Sequence, residues 1–161
     1  MNFEALYTTC FHKLYRFALN LSRSENEAEE IVQETFLRAM TNAHKLPEDN
    51  LDAWLFRVAR NVHISRLRKR QKEVGDAPLD MVPSGVDVET KLADQDQALH
   101  ILRHLHTLEE PYKEVFTLRA LGEVPYAQIS ALFGKTESWA RVTYHRARLL
   151  LTERMNKEGT L

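Results

Sequence analysis

A chain of 161 residues with 43% hydrophobic content can bury a real core, as one domain or as two small ones. Its formal net charge of −1 excludes an argument for nucleic-acid binding from bulk basicity, so any such function must rest on local clusters. Cys10 is the only cysteine, which excludes an intramolecular disulfide and a cysteine-rich zinc site and fits a reducing cytoplasm. With five Gly, five Pro and long stretches rich in Leu, Ala, Glu, Arg and Lys, the composition favours an all-helical fold with almost no strand. Met1 to Cys10 lacks a signal-peptide pattern, and nowhere do ~18 consecutive apolar residues occur, so a soluble chain with no direct membrane insertion is expected.

Phe3, Leu6, Cys10, Leu14, Phe17, Ala18 and Leu21 recur at helical spacing and predict a first helix ending near Ser22. Ser24 followed by Glu27 reads as a capping box opening a second helix, whose buried side is Ala28, Ile31, Val32, Phe36 and Ala39. The polar stretch from Lys45 to Asn50, with Pro47, interrupts the period. Leu51, Trp54, Leu55, Val58 and Val62 carry a third helix running into a basic segment near Lys72.

From Glu73 to Asp96, glycines and prolines break the period and seven acids face one base, Lys91, which reads as a flexible acidic linker. Leu99, Leu102, Leu105 and Leu108 mark the next helix, and Pro111 restarts another through Val115, Leu118 and Leu121. Pro125 opens a short helix, Gly134 is placed to end it in a left-handed conformation, and Glu137 opens a last helix to about Met155. The expected organisation is all-α, with two small helical domains at 1–72 and 97–161, a linker at 73–96, and a helix-turn-helix in the second.

Charge is segregated: Glu25, Glu27, Glu29, Glu30 and Glu34 form an acidic run without a base, while Arg66, Arg68, Lys69, Arg70 and Lys72 form a basic run without an acid. A helix, a Gly134 turn and a second helix bearing Arg141, Thr143, His145, Arg146 and Arg148 is the arrangement of a major-groove reader. The bland alternative is a solvated basic face on a bundle. Near Asn61, cations next to Trp54 and Phe56 suit single-stranded DNA, whose bases stack on rings while arginines hold the backbone. Trp54 by itself reads first as core, because it lies in the apolar stripe.

These stretches resemble a family over nearly the whole chain. NEAEEIVQETFLRAM looks like the polymerase-binding helix of extracytoplasmic-function sigma factors of the sigma-70 family. LDAWLFRVARNVHISRLRKR is similar to their promoter-melting, minus-ten-reading helix, and the stretch from Leu105 to Leu151 resembles their minus-thirty-five-reading domain. The resemblance implies that Glu30, Gln33 and Glu34 dock on the clamp helices of the largest polymerase subunit, with further contacts to the flap. It implies that Asn61, His63, Arg66, Arg68, Lys69 and Arg70 bind the minus-ten element, that the loop from Leu46 to Asp52 captures a flipped base, and that Arg141, Val142, Thr143, His145 and Arg146 read the minus-thirty-five element. Such factors are usually held by an anti-sigma factor, often membrane-anchored, so a cytoplasmic location, at times at the inner membrane face, is implied.

Two positions depart from the family pattern. Ser65 stands where aspartate is frequent, and Ser138-Trp139-Ala140 stands where a Gly-Thr-Val pattern commonly opens the recognition helix. For Trp139 two alternatives stand: packing on Tyr126 or Phe133, or a wider DNA contact. His100 and His104 share a helix face, but further metal ligands are not evident, and neither a phosphate loop nor a nucleophile motif is present. The expectation is a non-enzymatic, cofactor-free initiation factor that binds core RNA polymerase and both duplex and melted promoter DNA. Its rivals are a self-sufficient helix-turn-helix regulator and a helical protein-binding adaptor.

Overall fold

The computed structural model describes residues 3–73 and 92–157, with side chains from residue 99 onward in the second stretch. Helix α1 (Phe3–Ser22) buries the stripe Leu6, Cys10, Leu14, Phe17, Ala18 and Leu21. Helix α2 (Glu25–Thr41) starts on Ser24, whose Oγ accepts from the Glu27 amide at 3.3 Å. The reciprocal half of the capping box is absent, because the Ser24 amide donates to Ser22 Oγ and the Glu27 carboxylate pairs with Arg70. A 3₁₀ turn, Ala43–Lys45, leads through the Pro47 loop into α3 (Leu51–Glu73). Packed on one another, α1, α2 and α3 form the first helical unit.

The second unit starts with α4 (Leu92–Leu105), which begins inside the stretch expected to be linker; residues 74–91 of that expected linker lie outside the described residues. After it come α5 (Tyr112–Phe116), continued by one π-helical turn at Thr117–Leu121, then α6 (Tyr126–Phe133) and α7 (Glu137–Lys157). Among the described residues there is no strand, and the fold is all-α. Gly134 ends α6 at φ 67°, and the amides of Gly134 and Lys135 return to Ala131 O and Ser130 O as a left-handed helix stop. An alanine Cβ there would meet nothing within 4 Å, so backbone conformation alone accounts for the glycine.

The two units share a core. Val115, Leu118, Val124 and Ile129 belong to the same buried cluster as Phe17, Leu55 and Phe56, while Leu67 of α3 joins Leu102, Leu105, Leu108 and Leu151. Phe56 stacks on Phe17 with ring centroids 4.7 Å apart. On its other side runs the loop after the π turn: a Cβ on Gly122 would lie 2.7 Å from Phe56 Cδ2, so this close approach requires glycine. Full burial of each large apolar side chain contributes about 1.5–3 kcal/mol, which makes the junction a substantial packing surface.

Candidate functional site

The outer face of α2 is set by its inner one. Because Ala28, Ile31, Val32, Thr35, Phe36 and Ala39 are buried, Glu30 and Gln33 project outward beside the half-exposed Glu34. Glu34 accepts from Arg38 at 3.0 Å, one turn on, and Glu30 reaches across to Arg66 of α3. Continuing the same face are Leu37, 62% exposed, and Met40, 56% exposed. These two apolar side chains were missed by reasoning from charge, although their spacing of i+4 and i+7 from Gln33, off the core stripe, carried the signal. Acidic at one end and apolar at the other, the face has the mixed character of a protein interface.

On α3 the six minus-ten candidates separate into three groups. Asn61, Arg68 and Lys69 are exposed along one edge. Arg66 and Arg70 turn toward α2 and pair with Glu30 and Glu27, so their charge already serves to rivet the two helices. With Ser65 and Lys69 they line a cleft of about 450 Å³ between α2 and α3. His63 is turned inward and only 4% exposed, on the stripe that also buries Ala59 and Leu67. Neither of its ring nitrogens has a hydrogen-bond partner. Burial first, then the charges of Arg70, His106, Arg66 and Arg60, lowers its pKa to about 4. As placed, it cannot touch DNA; the expected contact is corrected by helical phase, since 59, 63 and 67 share the inner face.

In the loop before α3, Leu46 and Leu51 pack on the core and Asn50 is buried, which fixes the path of the 46–52 segment. Trp54 is half-buried against the same core. Cys10 lies below, with burial pushing its thiol up and Asp52 adding to the shift, so it is not poised as a thiolate. Among the described residues no group of three or more His, Cys, Asp or Glu side chains is placed to hold a metal ion.

The candidate reader on α7 is more open. Ala140, Thr143, Ala147, Leu151 and Met155 form the buried stripe of α7, which leaves Arg141, Val142, His145 and Arg146 exposed on the opposite side. Thr143, 5% exposed, is therefore a core residue here and not a groove-facing one. Arg141 is held by Glu137 at 2.8 Å and lies 5.3 Å from the Tyr126 ring centroid. Trp139 packs on Phe133 with centroids 5.2 Å apart, which settles its position between α6 and α7. The Thr136 hydroxyl accepts from the Trp139 amide at 3.1 Å and caps the first turn of the helix.

The profile for sigma-70 region 2 matches residues 6–73, and the profile for sigma-70 region 4 matches residues 99–151. Among curated relatives, the ECF RNA polymerase sigma factor SigM of Bacillus subtilis is 30% identical over 159 residues, covering 98% of this chain and 97% of its own. EcfG, an ECF RNA polymerase sigma factor of Rhodopseudomonas palustris, is 31% identical over 91% of this chain and 81% of its own. The solved structure of the sigma factor RpoE from Bartonella quintana, in complex with the anti-sigma factor NepR, is 27% identical and superposes with a TM-score of 0.62, covering 96% of each chain. CnrH, solved with the cytosolic domain of CnrY, shares the fold at a TM-score of 0.62 and 20% identity, covering 96% of this chain and 88% of its own.

Proposed function

This chain belongs to the extracytoplasmic-function sigma factors of the sigma-70 family, and from that premise we propose how its surfaces divide the work of binding core RNA polymerase and starting transcription at promoters. The face Glu30, Gln33 and Glu34, extended by Leu37 and Met40, docks on the clamp helices of the largest subunit. Asn61, with its paired donor and acceptor, reads an opened minus-ten base, while Arg68 and Lys69 hold the adjacent backbone and Arg66 and Arg70 flank them. Leu46 to Asp52 forms the pocket for a flipped base. Arg141, Val142, His145 and Arg146 enter the major groove at the minus-thirty-five element, with Val142 suited to a thymine methyl and the arginines to guanine or phosphate. The second unit also meets the polymerase flap.

Promoter opening in this reading is driven by binding energy alone, without an enzymatic step or a cofactor. Joint attachment to polymerase gives each weak reader a high effective concentration for its element. Release from an anti-sigma factor controls the chain, as the neighbour solved with NepR suggests by analogy, and the chain works in the cytoplasm, held at the inner membrane face when that inhibitor is membrane-anchored. The observation that carries the reading is the pair of exposed basic faces, α3 at Asn61–Lys69 and α7 at Arg141–Arg146, on two helical units of the family's order. Its test is transcription of a promoter library by core polymerase freed of sigma. Specific starts that require this chain support it; absence of such starts, with specific retention of duplex DNA by the chain alone, replaces it with a stand-alone regulator.

A further inference from the structure

An arginine that reads a base edge presents two donors in one plane, and a free guanidinium on a long side chain gives up much rotational freedom to do so. Arg141 is only partly free. Its side chain is 57% exposed, yet its Nη2 donates to Glu137, one turn back, at 2.8 Å, and its guanidinium carbon lies 5.3 Å from the centroid of the Tyr126 ring. The Glu137 pair is open to water, and such pairs are weak. The ring is the firmer support, because the fold holds it in place.

Tyr126 is the first residue of α6, set by Pro125 in an extended conformation at φ −61° and ψ 146°. Its half-buried ring is met by the Arg119 guanidinium at 4.3 Å from the centroid and by the edge of Tyr144 at 6.1 Å. Both neighbours are themselves anchored. Arg119 Nη1 donates to Val124 O at 3.2 Å, and Tyr144 stacks on Phe116 with centroids 5.5 Å apart. Arg119 stands in the π-helical turn Thr117–Leu121, a rare kind of turn that recurs at functional sites.

The other end of α6 shows the contrast. Phe133 lies 4.9 Å from the guanidinium carbon of Arg57, but Arg57 pairs with the buried Glu114 at 2.6 Å and is committed to the protein. Arg141 has the same kind of ring beside it and a carboxylate partner that is 49% exposed, so it can leave that partner for another acceptor. Two guanidinium groups gathered on one ring also repel each other, and Glu137 balances one of the two charges. Packing alone does not call for such a group; a surface that receives a polyanion does.

We propose that Tyr126 is a positioning residue for the upstream promoter element: its ring, held by Arg119 and Tyr144, orients the Arg141 guanidinium before DNA arrives, so that Arg141 reads a base edge. The proposal rests on the assignment of α7 as the duplex reader. Without the ring, Arg141 keeps its charge and still attracts phosphate but loses its preset direction. Base discrimination then falls while sequence-independent affinity stays.

Holoenzyme assembled from core polymerase and the full-length chain is bound to a promoter recovered from the library, and to versions with each upstream base pair replaced in turn. The chain is compared with Arg141→Ala, Tyr126→Leu, Tyr126→Phe and Tyr126→Leu/Arg141→Ala, with thermal unfolding as the check on folding. Arg141→Ala should relax discrimination at one position. At that position Tyr126→Leu should lower discrimination by about three- to tenfold, with the salt dependence of binding unchanged. Tyr126→Phe should restore it to within about twofold, and in the Arg141→Ala background Tyr126→Leu should change it by less than about twofold. If Tyr126→Leu does not fold, fluorinating the ring of Tyr126→Phe drains its negative face at constant shape, and discrimination should fall in step with the number of fluorines. Equal loss at every position, loss that persists without Arg141, indifference to fluorination, or failure of phenylalanine to rescue overturns the positioning role; the last would mean that the hydroxyl itself touches DNA. If Arg141→Ala relaxes no position, the assignment of Arg141 as a reader fails instead, and positioning with it.

Discussion

The two helices proposed as readers, α3 and α7, are of similar length and both rich in arginine, yet they stand in opposite situations. In α7 one stripe is buried, and the opposite face, Arg141, Val142, His145 and Arg146, is clear of the protein. In α3 the core of the first unit takes one side, the carboxylates of α2 a second, and the second unit a third, which leaves the edge at Asn61, Arg68 and Lys69. A run of positive charge therefore does not define a reading surface. What defines it is which of those charges the fold has already spent.

That contrast is most sharply broken at Phe56, which serves α3 twice, once against Phe17 and once against Gly122. Phe56→Ala should cost about 3–5 kcal/mol of stability by chemical denaturation. Trimming Leu149, an exposed residue of α7, to Ala should leave stability within about 0.5 kcal/mol. Equal losses would show that the two helices are not differently committed.

Acidification is next in size. The buried His63 ring stays neutral down to about pH 4, whereas an exposed histidine takes up its proton near 6.5. The stability this group contributes is thus fully present above about pH 6.5 and is lost as pH falls toward 4. The loss is about 1 kcal/mol by pH 5.5 and roughly 3 kcal/mol by pH 4. His106, also shifted down, first by burial and then by Lys113, Arg60 and Arg68, acts in the same direction. Denaturation midpoints between pH 7.5 and 5.5 should fall, and His63→Leu should flatten that slope.

Smaller still is the loss from single readers. Arg146→Ala should weaken binding to the upstream element by about 1–3 kcal/mol with an unchanged melting temperature. Asn61→Ala should spare duplex binding and slow strand opening, read by permanganate reactivity of unpaired thymines. If both substitutions depress both activities alike, the division between a duplex reader and a melted-strand reader fails.

Much of this was legible before any coordinates. The apolar stripes of α1 and α2, the cap at Ser24, the stop at Gly134 and the phase of Arg141 and Arg146 follow from local rules that operate within about one helical turn. Phase was also available for His63 and Thr143, but the basic run around one and the polar neighbours of the other drew both toward DNA. What lay out of reach was the junction. Arg57 and Glu114 are separated by 57 positions, and each alone looks like an ordinary solvated charge. Likewise the spacing of Ser24 and Glu27 predicts a full capping box, while the fold gives the Glu27 carboxylate to Arg70, 43 positions away by their numbering. Pairings between elements depend on how those elements are brought together, and no local period encodes that.

The smallest effect is expected at Glu30, and it separates the ion pair this carboxylate makes from the docking role proposed for it. As a rivet, Glu30 pairs with Arg66 across α2 and α3 with its own side chain 55% exposed, and a pair that open to water is worth roughly 0.2–1 kcal/mol. In the docking role proposed for it, it would meet a partner surface, where losing a charged hydrogen bond costs more because the site is desolvated on binding. Glu30→Ala and Arg66→Ala, singly and together, should therefore shift stability by less than about 1 kcal/mol each, with coupling no larger than the pair itself. Polymerase affinity should fall with Glu30→Ala and fall equally whether Arg66 is present or not. If instead the affinity loss disappears in the Arg66→Ala background, Glu30 acts only by holding Arg66 in place, and the polymerase face of α2 begins at Gln33.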